Sequence, residues 1–138
     1  MRIMLDKGVG IMPTRAFATD AGLDLYSPES VNIPPKWSVT IDTGVHIELP
    51  KNTVGLLKSK SGLNVKHGIQ SGEGVIDVGY TGSIRVKLYN HSGRWYTVNK
   101  GDKISQLVIL PILTPDLELV DELDETERGD GGFGSTGR

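Results

Sequence analysis

An aspartate and a tyrosine stand three positions apart in a short run that contains glycines, and they are the first candidates for chemistry. Asp77 and Tyr80 belong to residues 74–82, which read GVIDVGYTG. Glycine allows positive φ and lets backbone atoms come within contact distance of a ligand. A strand that only filled a core would not need an acid and three glycines. The pattern predicts a hairpin whose backbone contacts a small ligand and whose carboxylate points at it.

Three further segments hold polar side chains that need an explanation. Asp24 lies between two leucines, where a carboxylate is costly unless donors satisfy it, and a structural acid held by backbone N–H groups is one interpretation. Residues 58–63 combine two lysines, two serines and a glycine at a possible helix start, which would suit a phosphate, although such surface clusters are usually solvated. Gln106 enters the most apolar stretch, so its amide must find partners that are structural or include a ligand oxygen.

The composition changes after Val120. Residues 1–120 read as one β domain, and residues 121–138, called the C-terminal arm below, are an acidic linker followed by a glycine-rich end. Five of the last eleven residues are glycine, so the arm has little to bury and much backbone entropy to lose. A disordered tail is one interpretation. The other is a mobile arm whose arginine, aromatic ring and free N–H groups bind an anion and cap a base. It is not a Walker P-loop, because no lysine follows the glycines.

Composition excludes several classes of protein. A chain of 138 residues suits one domain with its own core, and its net charge of -2 offers no basic field to nucleic acid. The lack of cysteine removes disulfides and thiolate–metal sites, and the three separated histidines form no zinc motif. No apolar run approaches the ~18 residues of a membrane span, and the N-terminus is too short in apolar length for a signal peptide. We therefore expect a location in the cytoplasm, or inside a host cell for a viral or phage protein.

Short β-strands are expected to position these side chains. Alternation of polar and apolar residues, or a short β-rich run between turn residues, predicts strands over residues 37–41, 45–49, 53–57, 83–89 and 95–98. Residues 104–113 are apolar but for Ser105, Gln106 and Pro111, which predicts burial on both faces, inside the domain or at a subunit contact. A helical turn or two is expected only at residues 61–67. Many short strands with glycine and proline turns predict an all-β sandwich or barrel.

Five motifs of one family occur here in that family's order. The chain resembles the homotrimeric deoxyuridine triphosphate nucleotidohydrolases, the dUTPases. The matching segments are residues 21–25 (AGLDL), 60–63 (KSGL), 74–82 (GVIDVGYTG), 101–107 (GDKISQL) and 128–137 (RGDGGFGSTG). Each motif is short, but five in order across residues 21–137 make the resemblance specific.

The resemblance implies an all-β, jelly-roll subunit and a homotrimer whose three active sites lie at subunit junctions. The arm would close over a neighbour's active site. The implied reaction is hydrolysis of dUTP to dUMP and pyrophosphate, which keeps uracil out of DNA and supplies dUMP for dTMP synthesis. The implied cofactor is Mg²⁺, held mainly by the triphosphate and water rather than by a protein cage. Neither nucleic acid nor a membrane is an implied partner.

The resemblance also gives roles to individual residues. Asp77 would be the general base, since an ionised aspartate can orient and deprotonate a water that attacks the α-phosphorus. Tyr80 would pack on the deoxyribose and leave no space for a ribose 2′-OH, and Asp24 would support the site. The phosphate contacts would come from Lys60, Ser61, Gly62, Gln106 and Arg128. Uracil would meet backbone groups of the segment around Gly74, Val75, Ile76, Asp77 and Arg85. In the closed arm, Phe133 would stack over the base, and Gly134 would also contact the substrate.

Three positions depart from the family's usual pattern. Lys60 stands where arginine is usual, which keeps the charge but loses the bidentate fork. Gly79 stands where many members have a second acid, and Thr81 stands where the residue is often basic. We interpret the last two as variation among subgroups, because they are peripheral to the implied chemistry.

Two other functions are alternatives. A dCTP deaminase on the same scaffold would also use an acid–base group and a water, but it would release ammonia rather than pyrophosphate. The uracil-type segment at residues 74–82 and the glycine-rich arm speak against it. A nucleotide-gated regulatory protein would instead contact partners through the trimer surface, and a pull-down with and without a dUTP analogue would test that.

Overall fold

The computed structural model describes residues 1–135 and 137, and these residues form eleven strands and one helix. The strands are β1 (Arg2–Leu5), β2 (Gly22–Tyr26), β3 (Val31–Ile33), β4 (Ser38–Asp42), β5 (Val45–Glu48), β6 (Thr53–Lys58), β7 (Ile69–Ser71), β8 (Gly74–Ile76), β9 (Arg85–Asn90), β10 (Tyr96–Val98) and β11 (Lys103–Pro111). The helix, α1, spans Ser61–His67. Within the described part of the chain, no helix has the length and apolar character needed to cross a membrane. The prediction of an all-β fold is confirmed.

Two antiparallel sheets form the body of the fold. The first has the strand order β2–β11–β6–β8, and the second has the order β4–β9–β7. Strand pairs β1–β5 and β3–β10 complete the structure. Apolar side chains of both sheets belong to one buried cluster, with members Leu25, Leu57, Ile76 and Leu107 from the first sheet and Ile41, Ile69, Val86 and Leu88 from the second. The sheets therefore pack as a sandwich.

Strand β9 illustrates how the sequence directs this packing. Val86 and Leu88 point into the core and are fully buried, whereas the alternate residues Arg85, Lys87 and Tyr89 are exposed. Full burial of a valine or leucine side chain contributes ~1.5–3 kcal/mol, so this register is strongly preferred over a shift by one residue. The predicted alternation in this part of the sequence is confirmed.

Strand β11 follows the prediction only in its first half. It lies between β2 and β6, and both Ile104 and Leu107 are buried in the domain. Leu110 and Ile112 are partly exposed, and Leu113 is 92% exposed. Burial inside the domain therefore holds for the first half, whereas burial of the second half at a subunit contact stays a prediction.

The predicted hairpin at residues 74–82 is wrong in its strand pairing. β8 pairs with β6 in the first sheet, whereas β9 pairs with β4 and β7 in the second. The segment between them, residues 77–84, crosses from one sheet to the other and is called the 77–84 loop below. The error has a simple cause, because alternation and glycine turns identify strands but do not identify their partners.

The described residues beyond Pro111 form no strand or helix. Four leucines in this part of the chain are 87–100% exposed: Leu113, Leu117, Leu119 and Leu123. Such a series of exposed leucines is unusual for a soluble chain and marks a surface that another surface can cover.

Candidate active site

A groove of about 250 Å³ lies beside the 77–84 loop. Six residues that the sequence singled out contribute to its lining: Gly74, Val75, Ile76, Asp77, Tyr80 and Arg85. Leu57, Ser83 and Ile84 contribute the remaining surface. The acid, the aromatic ring and the glycine-containing backbone thus meet at one small concave surface, which is the common form of a ligand site.

Strand β8 brings its backbone to this groove. Gly74 lies opposite Leu57 of β6, and Ile76 lies opposite Gly55. Gly74 lets the strands pack closely, because a Cβ there would lie 3.1 Å from Leu57 Cδ1. β8 is the last strand in the order of its sheet, so within the described chain its outer N–H and C=O groups face no further strand. Such an edge can bind a ligand through backbone hydrogen bonds.

A β-turn fixes the acid and the aromatic ring relative to each other. The N–H of Tyr80 donates to the carbonyl oxygen of Asp77 at 3.1 Å, and Gly79 has a φ of 94°. Positive φ at the third position is a feature of type II turns and favours glycine. The side chain of Asp77 is exposed, so its carboxylate can accept a hydrogen bond from water or a ligand in the groove.

The ring of Tyr80 packs directly on the backbone of Gly82. Its hydroxyl donates to the carbonyl oxygen of Ser83 at 3.1 Å. A Cβ at position 82 would lie 2.5 Å from the Tyr80 hydroxyl oxygen, which is shorter than any non-bonded contact allows. Gly82 is therefore required by the position of the ring.

Asp42 of β4 fixes the end of the 77–84 loop, a role that no pattern in the sequence indicated. Its carboxylate accepts hydrogen bonds from Ser83 Oγ and from the N–H of Gly44, and it lies 3.4 Å from Arg85 Nε. The hydrogen bond from Ser83, supported by Gly44 and Arg85, lowers the pKa of the Asp42 carboxyl although partial burial opposes the shift. Asp42 thereby holds Arg85 at the wall of the groove.

A second cluster surrounds the carboxylate of Asp24. The Asp24 side chain is 6% exposed. One carboxylate oxygen accepts a hydrogen bond from Lys60 Nζ, and the other lies 2.8 Å from Lys103 Nζ. Burial works to raise the pKa of the Asp24 carboxyl, but the contacts with Lys103 and Lys60 outweigh it and hold that pKa below the ordinary 3.8. The interpretation that backbone N–H groups satisfy Asp24 is therefore wrong, because Lys60 and Lys103 are the donors to its carboxylate. Two cations and one anion leave one positive charge in excess, which favours an anionic ligand nearby.

Lys103 is a member of this cluster that the residue-by-residue reasoning missed. Its pKa is raised by the contact with Asp24. It lies within the fourth motif, residues 101–107, so the motif held the signal although the side chain was not singled out. Pairing of β11 with β2 brings Lys103 to its partner, Asp24, and this pairing is not visible in the sequence.

Gln106 lies next to this cluster on β11, opposite Asp24 on one side and Lys58 on the other. Its Nε2 donates to the carbonyl oxygen of Ser59 at 2.9 Å. Gly22 provides the space for this side chain, because a Cβ there would lie 2.3 Å from Gln106 Oε1. The amide thus has a structural partner for its donor side.

Buried hydroxyl groups hold the end of β6 from which Lys60 extends. The N–H of Ser71 donates to Ser59 Oγ at 3.0 Å, and Ser105 Oγ donates to the carbonyl oxygen of Lys58 at 3.0 Å. The hydroxyls of Ser71 and Ser105 are 2.9 Å apart. These contacts explain how a lysine is placed accurately beside Asp24.

Helix α1 begins directly after Lys60, which is its N-cap residue. Ser61 and Gly62 form its exposed start, and Gly68 ends it with a φ of 67°. A Cβ at Gly62 would meet nothing within 4 Å. Packing within the chain therefore gives no reason for this glycine, whereas close approach of a ligand would.

The structure joins some predicted site residues and leaves others apart. Leu57 of β6 lines the groove, and the residues that follow it lead to the Asp24 cluster, so the two features lie at the same end of β6. Phe133 in the arm is fully exposed, so its ring covers neither feature in the single chain. Arg128 donates to the carbonyl oxygen of Gly131 at 2.9 Å, inside the arm itself.

Replacing Asp24 by asparagine is expected to destabilise the fold by ~1–2 kcal/mol, because Lys60 and Lys103 lose their shared anion. The expected loss is smaller than for a fully buried pair, since both lysines are partly exposed. The folded-state pKa of Asp24 is lowered, so this stability is present above the ordinary pKa of 3.8 and is lost as pH falls through the folded value. Urea unfolding near neutral pH and near pH ~3 tests this. A difference between wild type and variant that stays equal at both pH values would contradict it.

Comparisons with known proteins show the family of this chain. The family model described as dUTPase matches residues 9–137. The deoxyuridine 5'-triphosphate nucleotidohydrolase of Candida albicans is 44% identical over 140 residues, which cover 100% of this chain and 88% of that protein. The corresponding protein of Saccharomyces cerevisiae is 41% identical, with 99% of this chain and 94% of that protein covered.

A solved structure supports the same assignment. The dUTPase of Staphylococcus bacteriophage 80alpha with dUpNHpp is 34% identical and superposes with a TM-score of 0.92, covering 99% of this chain and 98% of that chain. Family model, relatives and fold agree over nearly the whole length. The chain therefore belongs to the dUTPase family.

Proposed function

We propose that the chain hydrolyses dUTP to dUMP and pyrophosphate at the groove beside the 77–84 loop. The observation that carries this proposal is the lining of the groove. Six of its residues are ones that the family's third motif and its surroundings single out for base, sugar and catalysis. The family's named activity, and the dUTP analogue bound by the phage 80alpha enzyme, support the same substrate.

The free edge of β8 is proposed to recognise uracil through main-chain hydrogen bonds. Gly74, Val75 and Ile76 offer main-chain donors and acceptors in fixed positions, as a paired base would. Uracil has an N3–H donor and an O4 acceptor where cytosine has an acceptor and an amino donor. An edge that complements uracil therefore leaves buried polar groups unpaired with cytosine, which is a strong basis for discrimination.

Tyr80 is proposed to exclude ribonucleotides. Its ring is fixed between Gly82 and the carbonyl oxygen of Ser83, so it forms a firm wall of the groove. A deoxyribose packs against this wall, whereas a 2′-OH would overlap it. Arg85, held by Asp42, borders the same space.

Replacing Gly82 by alanine is expected to weaken discrimination against UTP. The new methyl group would overlap the Tyr80 ring and push it from its position, because the distance to the hydroxyl oxygen would be 2.5 Å. We expect kcat/KM for dUTP to fall about 10-fold and the preference for dUTP over UTP to fall by a similar factor. Gly93→Ala is the matched control, since a Cβ there meets nothing within 4 Å. An unchanged preference in Gly82→Ala would show that Tyr80 is not the filter.

The Asp24 cluster is proposed to bind the triphosphate. Lys60 and Lys103 share one carboxylate, Gln106 lies opposite Asp24, and Ser61 and Gly62 add exposed groups at the start of α1. Lysine binds phosphate as a point charge, so this site would tolerate small shifts of the phosphate better than a bidentate arginine.

Mg²⁺ is the proposed cofactor. In residues 1–135 and 137, no three histidine or acidic side chains come together in a way that could hold a metal ion. The ion would therefore be held mainly by phosphate oxygens and water. Such an ion neutralises phosphate charge and favours departure of pyrophosphate. The dUTPase of phage phi11, 33% identical with a TM-score of 0.81, is described as coordinating a structural Mg(II) ion.

Asp77 is the proposed general base. It is exposed at the groove, and a turn joins its backbone to that of Tyr80, so the carboxylate and the proposed sugar-binding ring line the same groove. The carboxylate accepts a proton from a water as that water attacks the α-phosphorus, and the bond to the bridging oxygen of pyrophosphate breaks.

A homotrimer with shared active sites is proposed from what one chain leaves uncovered. The four leucines between residues 113 and 123 and the ring of Phe133 are almost completely exposed. Burial of these side chains on neighbouring chains would bring Arg128, Phe133 and Gly134 to a neighbour's groove, whereas in the single chain the Phe133 ring covers no groove. Residues 1–120 would then be the catalytic domain and residues 121–138 the arm.

One nucleotide screen tests the proposed function. Purified protein is incubated with dUTP, dCTP, dTTP and UTP, with and without Mg²⁺, and dUMP, pyrophosphate and ammonia are measured. We expect pyrophosphate and dUMP from dUTP, only with Mg²⁺. Ammonia from dCTP would favour the deaminase instead, and nucleotide binding without any product would favour a regulatory protein.

A further inference from the structure

The 77–84 loop is anchored at its end but has one further attachment in its middle. Its end is fixed through Asp42 and through the N–H of Ile84, which donates to the carbonyl oxygen of Val45 at 2.8 Å. In the middle, His46 Nδ1 lies 2.7 Å from the carbonyl oxygen of Thr81. A carbonyl oxygen only accepts, so Nδ1 carries the proton and donates. Thr81 directly follows Tyr80, so this bond acts next to the proposed sugar wall.

His46 is well placed to act as a fixed anchor. It belongs to β5 between Val45 and Ile47, which are buried in the core, and it pairs with Met4 of β1. The His46 side chain is 16% exposed. The strand that carries His46 is therefore held by the core, and its ring joins this strand to the loop.

The second ring nitrogen also meets an acceptor. His46 Nε2 lies 3.2 Å from Asp6 Oδ1, just beyond the end of β1. A neutral ring can donate from only one nitrogen, whereas the imidazolium can donate to Thr81 and Asp6 together. The bond to Thr81, with smaller contributions from Asp6 and Asp42, raises the pKa of His46 although burial opposes the shift. Arg2 and Glu48, the other charged groups of the adjacent cavity, pair with each other.

We propose that His46 is a positioning residue for the substrate groove, which holds Thr81 and thereby Tyr80, and that it does so best as an imidazolium. This inference rests on the proposed function for its effect on dUTP, but its structural part concerns the loop alone. The linkage has a definite sign. The contribution that protonation adds is complete below the ordinary histidine pKa of 6.5 and is lost as pH rises through the higher folded value, where the neutral ring keeps only one of its two donors.

Hydrogen exchange of the full-length protein without nucleotide tests the structural part. Backbone amides of residues 78–83 are compared in wild type, His46→Leu and His46→Gln. We expect faster exchange in His46→Leu, which lacks a donor, and an intermediate rate in His46→Gln, which keeps one. His91→Gln is the matched control, because His91 contacts Gln70 rather than this loop. Equal exchange of wild type and His46→Leu would overturn the proposal, as would an equal increase in His91→Gln.

Kinetics test the effect on substrate. We expect KM for dUTP to rise about 5-fold in His46→Leu with kcat nearly unchanged, as for loss of one hydrogen bond that orders the groove. In wild type, KM should increase between pH ~6 and pH ~8, and His46→Gln should lose this increase because glutamine does not titrate there. If His46→Leu does not fold, His46→Gln decides alone: retention of the wild-type pH dependence of KM overturns the proposal. A wild type that hydrolyses no nucleotide contradicts the proposed function, while the exchange result still stands.

Discussion

Replacement of Asp77 by asparagine is expected to lower kcat for dUTP hydrolysis about 1000-fold and to leave KM within about 2-fold of wild type. The amide keeps the size of the carboxylate but cannot accept the proton of the attacking water. Asp77 is exposed, and its described hydrogen bond is made by its backbone carbonyl oxygen, which the substitution retains. The turn, the groove and the free energy of unfolding should therefore stay close to those of wild type.

The measurement is steady-state pyrophosphate release, combined with binding of a non-hydrolysable dUTP analogue. Glu29→Gln is a suitable control, because it also neutralises an exposed carboxylate but lies outside the groove. An Asp77→Asn variant that binds the analogue and releases pyrophosphate at the wild-type rate would remove Asp77 from the role of base. Loss of binding together with activity would instead assign Asp77 to substrate binding.

The sequence could single out residues 74–80 because they are consecutive, and the structure places five of them in the lining of one groove. Gly74 to Tyr80 are consecutive, and residue types alone place an acid and a ring on one turn whose third position needs glycine. The alternation of β9 likewise fixed which side chains enter the core. In each case the evidence lies within a few neighbouring residues, so no knowledge of strand pairing is needed.

The contacts that sequence reasoning missed all join distant parts of the chain. Asp42 reaches Ser83, Lys103 reaches Asp24, and His46 reaches Thr81. Each depends on which strand lies beside which, and short apolar runs carry little information about their partners. The incorrect prediction of a hairpin at residues 74–82 has the same origin. β8 pairs with β6, so the 77–84 loop connects two different sheets.

Removal of residues 128–138 is expected to lower kcat/KM for dUTP at least 100-fold while leaving the fold intact. None of the described residues of the arm, 121–135 and 137, belongs to the buried core, and Phe133 is fully exposed in the single chain. The truncated protein should therefore keep the thermal stability of the full-length chain. If the arm were a disordered tail without a role, its removal would leave kcat/KM unchanged, and that outcome would dismiss the proposed closure.

Phe133→Ala separates the aromatic ring from the rest of the arm. Stacking of an aromatic side chain on a base contributes ~1–3 kcal/mol, so kcat/KM should fall about 5-fold to 150-fold. The chain has two phenylalanines, and Phe17, which is also exposed, provides the matched control Phe17→Ala.

A mixture of Asp77→Asn chains and Phe133→Ala chains tests whether the arm acts on its own chain. If the arm serves a neighbour, mixed trimers combine an intact Asp77 from one chain with an intact Phe133 from another, and activity rises above the sum of the two variants. If each arm covers its own groove, no mixed assembly contains an intact site, and the activities only add.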